Sequence, residues 1–431
     1  MYRKVMSFLE EWKDSRHRKP LILQGARQVG KTYSILEFGR IHYENVAYFN
    51  FETNPRLNET FEENISPDYL IPILSHIAGQ TIVRDKTLIV FDEVQLCERA
   101  LTSLKYFCED APGYHIIVAG SLLGVAVNRA KFSFPVGKVD MKTLYPMDME
   151  EFMLAMGERE LVEQIKKSFA ADTPLPGALH DAAMRLYRQY LIVGGMPECV
   201  KLFAETKDYI LIRHAQDTIL ASYLNDMSKY NNPNEIKKTR LAYDNITVQL
   251  SKKNTRFQYK LIKKGGRASE FENAIEWLCL SGIASRVYKV EQIKKPLENY
   301  RDIDTFKIYV SDMGLLLAKK DLAANDILYM VEDINDFKGG MTENYVNVQL
   351  VINGYSTYYW MSERGAEIDF VIQRGGKLIP IEVKSADNTR AKSLKVYMDT
   401  YRPDYAIKLS GKNFGFEDGK KTVPLYAAFC I

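Results

Sequence analysis

The chain has 431 residues, 46% apolar and 26% charged, which is the composition of an ordinary soluble protein with roughly two to four domains. Its net charge of +3 is too small to indicate a nucleic-acid partner, and no apolar stretch is long enough to cross a bilayer. The N-terminus lacks an apolar signal core and the five cysteines are scattered, so we expect reduced thiols, a cytoplasmic location and no membrane association. The six scattered histidines give a zinc site little support.

A glycine-rich segment near the start of the chain carries the most specific motif. It fits G-x-x-x-x-G-K-[ST] and consists of Gly25, Ala26, Arg27, Gln28, Val29, Gly30, Lys31 and Thr32. An apolar run at 21–23 precedes it and a helical pattern at 33–39 follows, which is the context that this motif requires. In such a loop backbone N–H groups bind phosphates, Lys31 reaches the β/γ oxygens and Thr32 holds Mg²⁺. The sequence therefore predicts a site for ATP and Mg²⁺.

Two acids end a second strand pattern, which contains the apolar run at 88–91. Asp92 and Glu93 follow it directly, where the carboxyl end of a buried parallel strand faces a ligand. We predict that Asp92 binds Mg²⁺ and that Glu93 polarises the attacking water. A strand that merely ends in acids is the alternative. With further strand patterns at 46–51 and 115–120, the region favours a doubly wound α/β sheet.

The middle of the chain combines helical patterns with an uneven charge. A helical period runs over 178–230 and breaks at 194–197, which favours a small helical lid, while helices followed by strands at 283–290 and 305–310 resemble a winged helix. One segment holds ten basic residues and the single acid Asp244: Lys237, Lys238, Arg240, Lys252, Lys253, Arg256, Lys260, Lys263, Lys264 and Arg267. Such a patch can bind a DNA backbone. A solvated face, or a surface that docks on acidic parts of the same chain, is the alternative.

The last hundred residues contain a candidate metal site. Strand patterns at 367–372 and 378–384 flank a two-residue glycine loop, and this hairpin register places Asp369 opposite Glu382. PD-(D/E)xK nucleases use Asp and Glu-x-Lys on adjacent strands in this way. We predict that Asp369 and Glu382 bind a metal with support from Glu343, and that Lys384 activates water. In the alternative, Lys384 pairs with Glu367 and the fold retains its acids without activity.

Several motifs together resemble one family, the AAA+-related prokaryotic ATPases that carry a C-terminal domain of unknown function. Besides the segments at 24–32, 92–95 and 119–122, the matching motifs are 144–147, 150–152, 194–198, 306–309, 312–316 and 367–370. The resemblance implies an ATPase and no settled cellular role. It also suggests Ser121 as a sensor of the γ-phosphate, although a polar residue there could simply cap the next helix. Arg129 and Lys138 are candidates for a charge facing that phosphate, and plain surface residues are the alternative for both. A lysine after Gly137 also departs from the arginine that the family leads us to expect.

We therefore predict four regions: a P-loop ATPase core at 1–160, a helical lid at 161–234, a winged-helix-like domain at 235–322 and a restriction-endonuclease-like α/β domain at 323–431. The leading hypothesis is an ATP-hydrolysing, DNA-associated machine. The alternatives are a nucleotide-gated switch with an inactive nuclease-like part, and a sensor that binds a protein partner. The oligomeric state stays open.

Overall fold

The structure is a computed structural model and describes residues 1–120, 135, 137–229, 233–252, 256–385 and 392–431. These residues form two compact units. The N-terminal unit comprises residues 2–145 with 280–282, and the C-terminal unit comprises 146–279 and 283–431 with Met1. No helix in these ranges is both long and apolar enough to span a membrane.

The N-terminal unit is built on a five-stranded parallel sheet with the order β2-β3-β4-β1-β5. Its strands are β1 (Leu21–Gln24), β2 (Asn45–Asn50), β3 (Thr87–Asp92), β4 (His115–Ala119) and β5 (Asp140–Thr143). Its helices are α1 (Val5–Asp14), α2 (Lys31–His42), α3 (Arg56–Glu63), α4 (Pro67–Ala78) and α5 (Glu98–Asp110). Strands β3 and β4 are buried along their whole length, as their apolar runs predict. The predicted α/β sheet is confirmed, and β5 is an additional strand.

The helices of the C-terminal unit occupy most of its first half and also flank its sheet. In chain order they are α6 (Met149–Ala155), α7 (Arg159–Ala171), α8 (Gly177–Val193), α9 (Pro197–Thr206), α10 (Tyr209–Lys229), α11 (Pro233–Gln249), α12 (Ala268–Leu280), α13 (Met313–Lys319), α14 (Ala324–Leu328), α15 (Asn335–Ile352) and α16 (Lys392–Tyr401). The predicted break at 194–197 is the junction between α8 and α9. Pro197 starts α9 because a proline at the first helical position loses no hydrogen bond.

The C-terminal unit contains an eight-stranded mixed sheet with the order β12-β13-β11-β10-β9-β8-β6-β7. Its strands are β6 (Ala284–Val290), β7 (Arg301–Val310), β8 (Tyr358–Met361), β9 (Glu367–Arg374), β10 (Lys377–Val383), β11 (Ala406–Ser410), β12 (Gly415–Glu417) and β13 (Lys420–Pro424). The β6–β7 hairpin was expected to be the wing of a winged helix. It instead continues this sheet, because β6 pairs in parallel with β8. Strands on both sides of the 322/323 boundary thus share one sheet, and the division into four regions stays a prediction.

The predicted hairpin register is observed in β9 and β10. Arg374 pairs with Lys377, and the pairing continues to Phe370 opposite Ile381, the residues that adjoin Asp369 and Glu382. Strand β9 is antiparallel to both of its neighbours, β8 and β10, whereas β10 and β11 are parallel and are connected through α16. This arrangement brings the acids of neighbouring strands to one end of the sheet.

Candidate functional site

The glycine-rich loop connects β1 to α2 and surrounds the side chain of Lys31. Lys31 is the first residue of α2 and is only 7% exposed. Its Nζ donates hydrogen bonds to the carbonyl oxygens of Gly25 at 2.8 Å and Ala26 at 2.7 Å. The free N–H groups of a helix N-terminus favour bound anions. The loop therefore has the geometry of a phosphate-binding site.

Gly25 is required by a close approach of two backbone segments. A Cβ at this position would lie 2.1 Å from the carbonyl oxygen of Leu144, and the φ of Gly25 is +147°. The approach is fixed because the N–H of Leu144 donates to the carbonyl of Gln24 at 2.8 Å. The first glycine of the motif thus serves the packing of the loop as well as access to a phosphate.

Arg3 contacts the backbone of the loop and holds it in place. Its guanidinium is buried and donates to the carbonyl of Val29 at 2.9 Å and to that of Tyr145 at 2.8 Å. Sequence reasoning missed this residue, since an arginine near a chain terminus is ordinarily exposed. The rigid fork of the guanidinium joins the loop to the segment that follows β5.

Thr32 and Asp92, the two residues predicted to hold Mg²⁺, are in direct contact. The Thr32 hydroxyl donates a hydrogen bond to Asp92 Oδ2 at 2.9 Å, although Thr32 lies on α2 and Asp92 on β3. Asp92 is 5% exposed. Hydroxyl and carboxylate oxygens are ligands that suit Mg²⁺ when nucleotide phosphates complete its shell. The two residues fit the predicted ion, and they would hold it from the protein side.

Glu93 has an unusual backbone conformation beside this contact. Its φ of 52° lies in the left-handed region, which non-glycine residues adopt uncommonly. Its N–H donates to Asp92 Oδ1 at 3.0 Å, and its carboxylate accepts from the Gln95 amide. The partly exposed side chain suits the predicted role in activating water.

Tyr48 is a further member of the site that the sequence analysis missed. Its hydroxyl donates to Asp92 Oδ2 at 2.7 Å, the oxygen that also accepts from Thr32. Burial, with the adjacent Asp92 carboxylate, raises the pKa of Tyr48 to about 12, so the hydroxyl keeps its proton. The sequence offers no signal for this role because the contact depends on the pairing of β2 with β3.

The structure gives little information on the remaining residues predicted for the nucleotide site. Ser121 and Arg129 lie outside the described residues, and their roles stay predictions. Strand β4, which precedes Ser121, lies between β1 and β3. Lys138 Nζ lies 2.8 Å from Glu109 Oε1, an ion pair between partly exposed groups.

The C-terminal candidate residues lie at one end of the sheet. Asp369 on β9 accepts a hydrogen bond from the N–H of Val383 at 2.7 Å. Lys384 Nζ lies 2.5 Å from Glu382 Oε1, while Glu382 Oε2 has no hydrogen-bond partner within the described part of the chain. The proposed pairing of Lys384 with Glu367 is therefore not observed.

A second lysine, Lys307 on β7, takes that position. It is 1% exposed, and its Nζ lies 2.7 Å from Glu367 Oε1 and 3.1 Å from Glu343 Oε2. Glu343 Oε2 also accepts from the Tyr309 hydroxyl at 2.8 Å. Sequence reasoning did not select Lys307, because it belongs to a hairpin assigned to another domain.

Burial and the neighbouring charges shift the pKa values of this cluster. Burial raises the pKa of Asp369 well above its ordinary range, and the carboxylates of Glu343 and Glu382 add to the shift. Burial also raises the pKa of Glu382, although the Lys384 ammonium opposes the shift. For Lys307, burial acts to lower the pKa, but Glu343 and other anionic neighbours outweigh it and raise the pKa.

Within the described ranges, no group of three or more His, Cys, Asp or Glu side chains could hold a metal ion. The metal-binding roles of Glu343, Asp369 and Glu382 stay predictions.

In the basic segment of residues 237–267, some side chains form ion pairs with acids and others are exposed. Lys238 pairs with Glu235 and Lys263 with Glu270, at 2.9 and 3.4 Å. The exposed basic residues near its end are Lys260, Lys263, Lys264 and Arg267, whereas Lys253 lies outside the described residues. Phe257 and Tyr259 pack on Phe306, with ring centroids 5.7 and 6.2 Å away, so these aromatic rings contribute to packing.

Family models cover most of the chain in three parts. Residues 17–153 match the model described as an AAA domain. Residues 184–326 and 338–428 match two models described as domains of unknown function, DUF8612 and DUF4143. Among curated proteins, no sequence matches this chain.

Solved structures with a similar arrangement are distant in sequence. A Walker-type ATPase of Pyrococcus abyssi is 14% identical over 74% of this chain and 95% of that chain, with a TM-score of 0.45. The ORC2 protein of Aeropyrum pernix, in ADPNP–ADP complexes, is 11% identical over 73% and 87%, with a TM-score of 0.34. The RuvB Holliday junction branch migration motor of Thermotoga maritima is 13% identical over 66% and 88%, with a TM-score of 0.29. The assignment of residues 17–153 rests on the family model.

Proposed function

We propose that this protein binds ATP with Mg²⁺ at the glycine-rich loop and hydrolyses it. The match of residues 17–153 to an AAA domain supports this proposal. The observation that carries the proposal is the hydrogen bond between Thr32 and Asp92 at 2.9 Å. It unites the two expected magnesium ligands at one point, with Lys31 and Glu93 each adjacent in sequence to one of them. Sequence separation alone could not ensure that contact.

Each of these side chains has a defined task. The Lys31 ammonium, which now donates to two loop carbonyls, would turn to the β/γ phosphate oxygens. Thr32 and Asp92 would bind Mg²⁺, which neutralises charge developing on the transferred phosphoryl group. Glu93 would orient the attacking water and accept its proton.

The test is nucleotide binding and hydrolysis by the full chain and two variants. Lys31→Ala should lose ATP binding, whereas Glu93→Gln should keep binding and lose turnover by about 100-fold or more. Glu59→Gln, an exposed acid on α3, is the matched control and should turn over ATP at the rate of the unaltered protein. Normal turnover by Glu93→Gln would refute the assigned role of Glu93, and normal binding by Lys31→Ala would refute the site.

DNA association is the second part of the proposal. It is supported by the exposed basic residues at 260–267, which present positive charge on one short segment. Contacts with DNA phosphates make the binding constant fall as salt is added. In a plot of log binding constant against log salt concentration, each phosphate contacted adds about 0.9 to the downward slope. Replacing these four residues, Lys260, Lys263, Lys264 and Arg267, by Gln should weaken DNA binding and flatten this slope. The control variant replaces four other exposed lysines by Gln and should retain both the DNA affinity and the salt slope: Lys294, Lys295, Lys392 and Lys395. Binding that ignores salt, or equal loss in the control, would refute the surface.

A nucleotide-gated switch is the second candidate function. The C-terminal cluster favours it, because the ammonium groups of Lys307 and Lys384 form ion pairs with carboxylates there. In this alternative ATP binding alone changes the state of the chain, and the C-terminal region binds a DNA or protein partner without cleaving it. ATP turnover measured with and without DNA distinguishes the two: several-fold stimulation supports the machine, and unchanged slow turnover supports the switch.

A further inference from the structure

The acidic cluster of the C-terminal unit, defined as Glu343, Glu367, Asp369 and Glu382, contains a cation supplied by the chain itself. Lys307 extends from β7 to oxygens of two different carboxylates, at 3.1 Å from Glu343 and 2.7 Å from Glu367. The hairpin that carries Lys307 precedes both acids by more than thirty residues. The cluster is therefore completed only when the two parts of the eight-stranded sheet come together.

Burial shows that this contact is structural rather than incidental. Lys307 is 1% exposed, and a buried ammonium is costly unless carboxylates pair with it. Its distances to oxygen are those of ammonium hydrogen bonds. A divalent ion such as Mg²⁺ would hold those oxygens at about 2.1 Å, and Ca²⁺ at roughly 2.3–2.6 Å. The ammonium thus occupies the position between the carboxylates of Glu343 and Glu367, within hydrogen-bond distance of both.

We propose that the Lys307 ammonium is the permanent counter-ion of Glu343 and Glu367 within the acidic cluster, that it excludes divalent metal from the native protein, and that its removal creates a metal site. This inference concerns the C-terminal unit and does not depend on ATP hydrolysis. It assigns Lys307 to positioning Glu343 and Glu367 rather than to a reaction.

The cluster retains oxygen atoms that such a metal could use. Glu382 is buried, and its Oε2 has no hydrogen-bond partner among the described residues. Without Lys307, Glu343 and Glu367 would lose their shared cation as well. Carboxylate oxygens are hard ligands that favour Mg²⁺ or Mn²⁺. Mn²⁺ is the more convenient probe because it is paramagnetic.

The experiment compares Mn²⁺ binding by the nucleotide-free full-length protein and its variants, using electron paramagnetic resonance and thermal melting. Lys307→Met should melt at a lower temperature than the native protein in EDTA, and Mn²⁺ should raise its melting temperature because a ligand stabilises the state that binds it. The native protein should show no Mn²⁺ binding that depends on Glu343. The gain in Lys307→Met should disappear in the double variant with Glu343→Gln.

A matched control separates this effect from the loss of any buried lysine. Lys319 is 13% exposed and pairs with the single carboxylate of Asp244 at 2.6 Å. Lys319→Met should therefore lose stability that Mn²⁺ does not restore. If Lys307→Met does not fold, Lys307→Gln offers a second uncharged side chain, and the native protein still tests exclusion. Two results would overturn the inference: Mn²⁺ binding by the native protein that Glu343→Gln weakens, or a folded Lys307 variant that gains no Mn²⁺.

Discussion

The carboxylate of Asp312 accepts a hydrogen bond from the backbone N–H of Gly195 at 2.7 Å, across a separation of 117 residues. Its other oxygen accepts from the N–H of Leu315 at 2.8 Å and caps α13. Gly195 in turn accepts from the N–H of Met147 at 2.7 Å. Met147, Gly195 and Asp312, which belong to three motifs separate in the sequence, thus form one junction within the C-terminal unit.

The first prediction concerns Gly195 in this junction. A Cβ at Gly195 would lie 2.0 Å from the carbonyl oxygen of Met147, a backbone atom that cannot move aside cheaply. Gly195→Ala should therefore destabilise the C-terminal unit by about 3 kcal/mol or more, measured by urea denaturation. Gly177→Ala is the control, since among the described residues outside its own helical turn no atom lies within 4 Å of the added Cβ. It should be neutral or stabilising by up to about 1 kcal/mol. Equal effects at the two glycines would contradict the steric account.

The second prediction concerns pH. Burial raises the pKa of Asp312 from 3.8 to about 6, although backbone N–H groups such as those of Leu315 and Gly195 oppose the shift. A carboxyl whose folded pKa exceeds its unfolded pKa stabilises the fold as pH falls from about 6 towards 3.8, because the folded state binds the proton first. Relative to Asp312→Asn, the native protein should gain roughly 1–2 kcal/mol of unfolding free energy between pH 7 and pH 5.

Chemical denaturation at both pH values measures this gain. The comparison with Asp312→Asn matters because other carboxylates titrate over the same range and affect both proteins alike. A stability difference that stays constant between the two pH values would contradict the raised pKa of Asp312.

The third prediction concerns Tyr48 in the nucleotide site. Tyr48→Phe removes the hydrogen bond to Asp92 Oδ2 and leaves the predicted magnesium ligand less firmly oriented. ATP affinity in the presence of Mg²⁺ should fall by about tenfold, as is typical when a residue that orients a metal ligand is lost. Tyr33→Phe is the control, because Tyr33 is 61% exposed on α2 and its loss should change nothing. Titration of ATP in EDTA should show no difference between the variants, and an equal defect without Mg²⁺ would contradict this role.

The fourth prediction concerns Arg3 beneath the loop. Arg3→Lys keeps the charge, but a single ammonium lacks the fork that donates to Val29 and Tyr145 together. One buried carbonyl should lose its partner, at a cost of about 1–3 kcal/mol, and ATP affinity should fall with it. The exposed Arg16 provides the control substitution Arg16→Lys, which should leave melting temperature and affinity unchanged. ATP binding by Arg3→Lys at the native level would show that the loop does not need this support.

The sequence by itself determined the elements whose signals are local. The loop at 25–32 is specified by glycines and by the strand and helix patterns beside it, and the acids after β3 follow from one apolar run. The β9–β10 register follows from a two-residue loop, since pairing in such a hairpin has a fixed arithmetic. These features depend on residues close together in the chain, where spacing alone fixes geometry.

Only the tertiary structure decided which distant residues complete each site. Tyr48 and Arg3 lie in no motif, and the 306–309 motif does not reveal the partners of Lys307. Each of the three is selected by strand pairing or by packing between separate elements. Sequence inspection placed Lys307 in a domain apart from Glu367, yet β6 pairs with β8 and joins the two regions in one sheet. A buried charge is stabilised by the partners that surround it in space, and chain order does not record those partners.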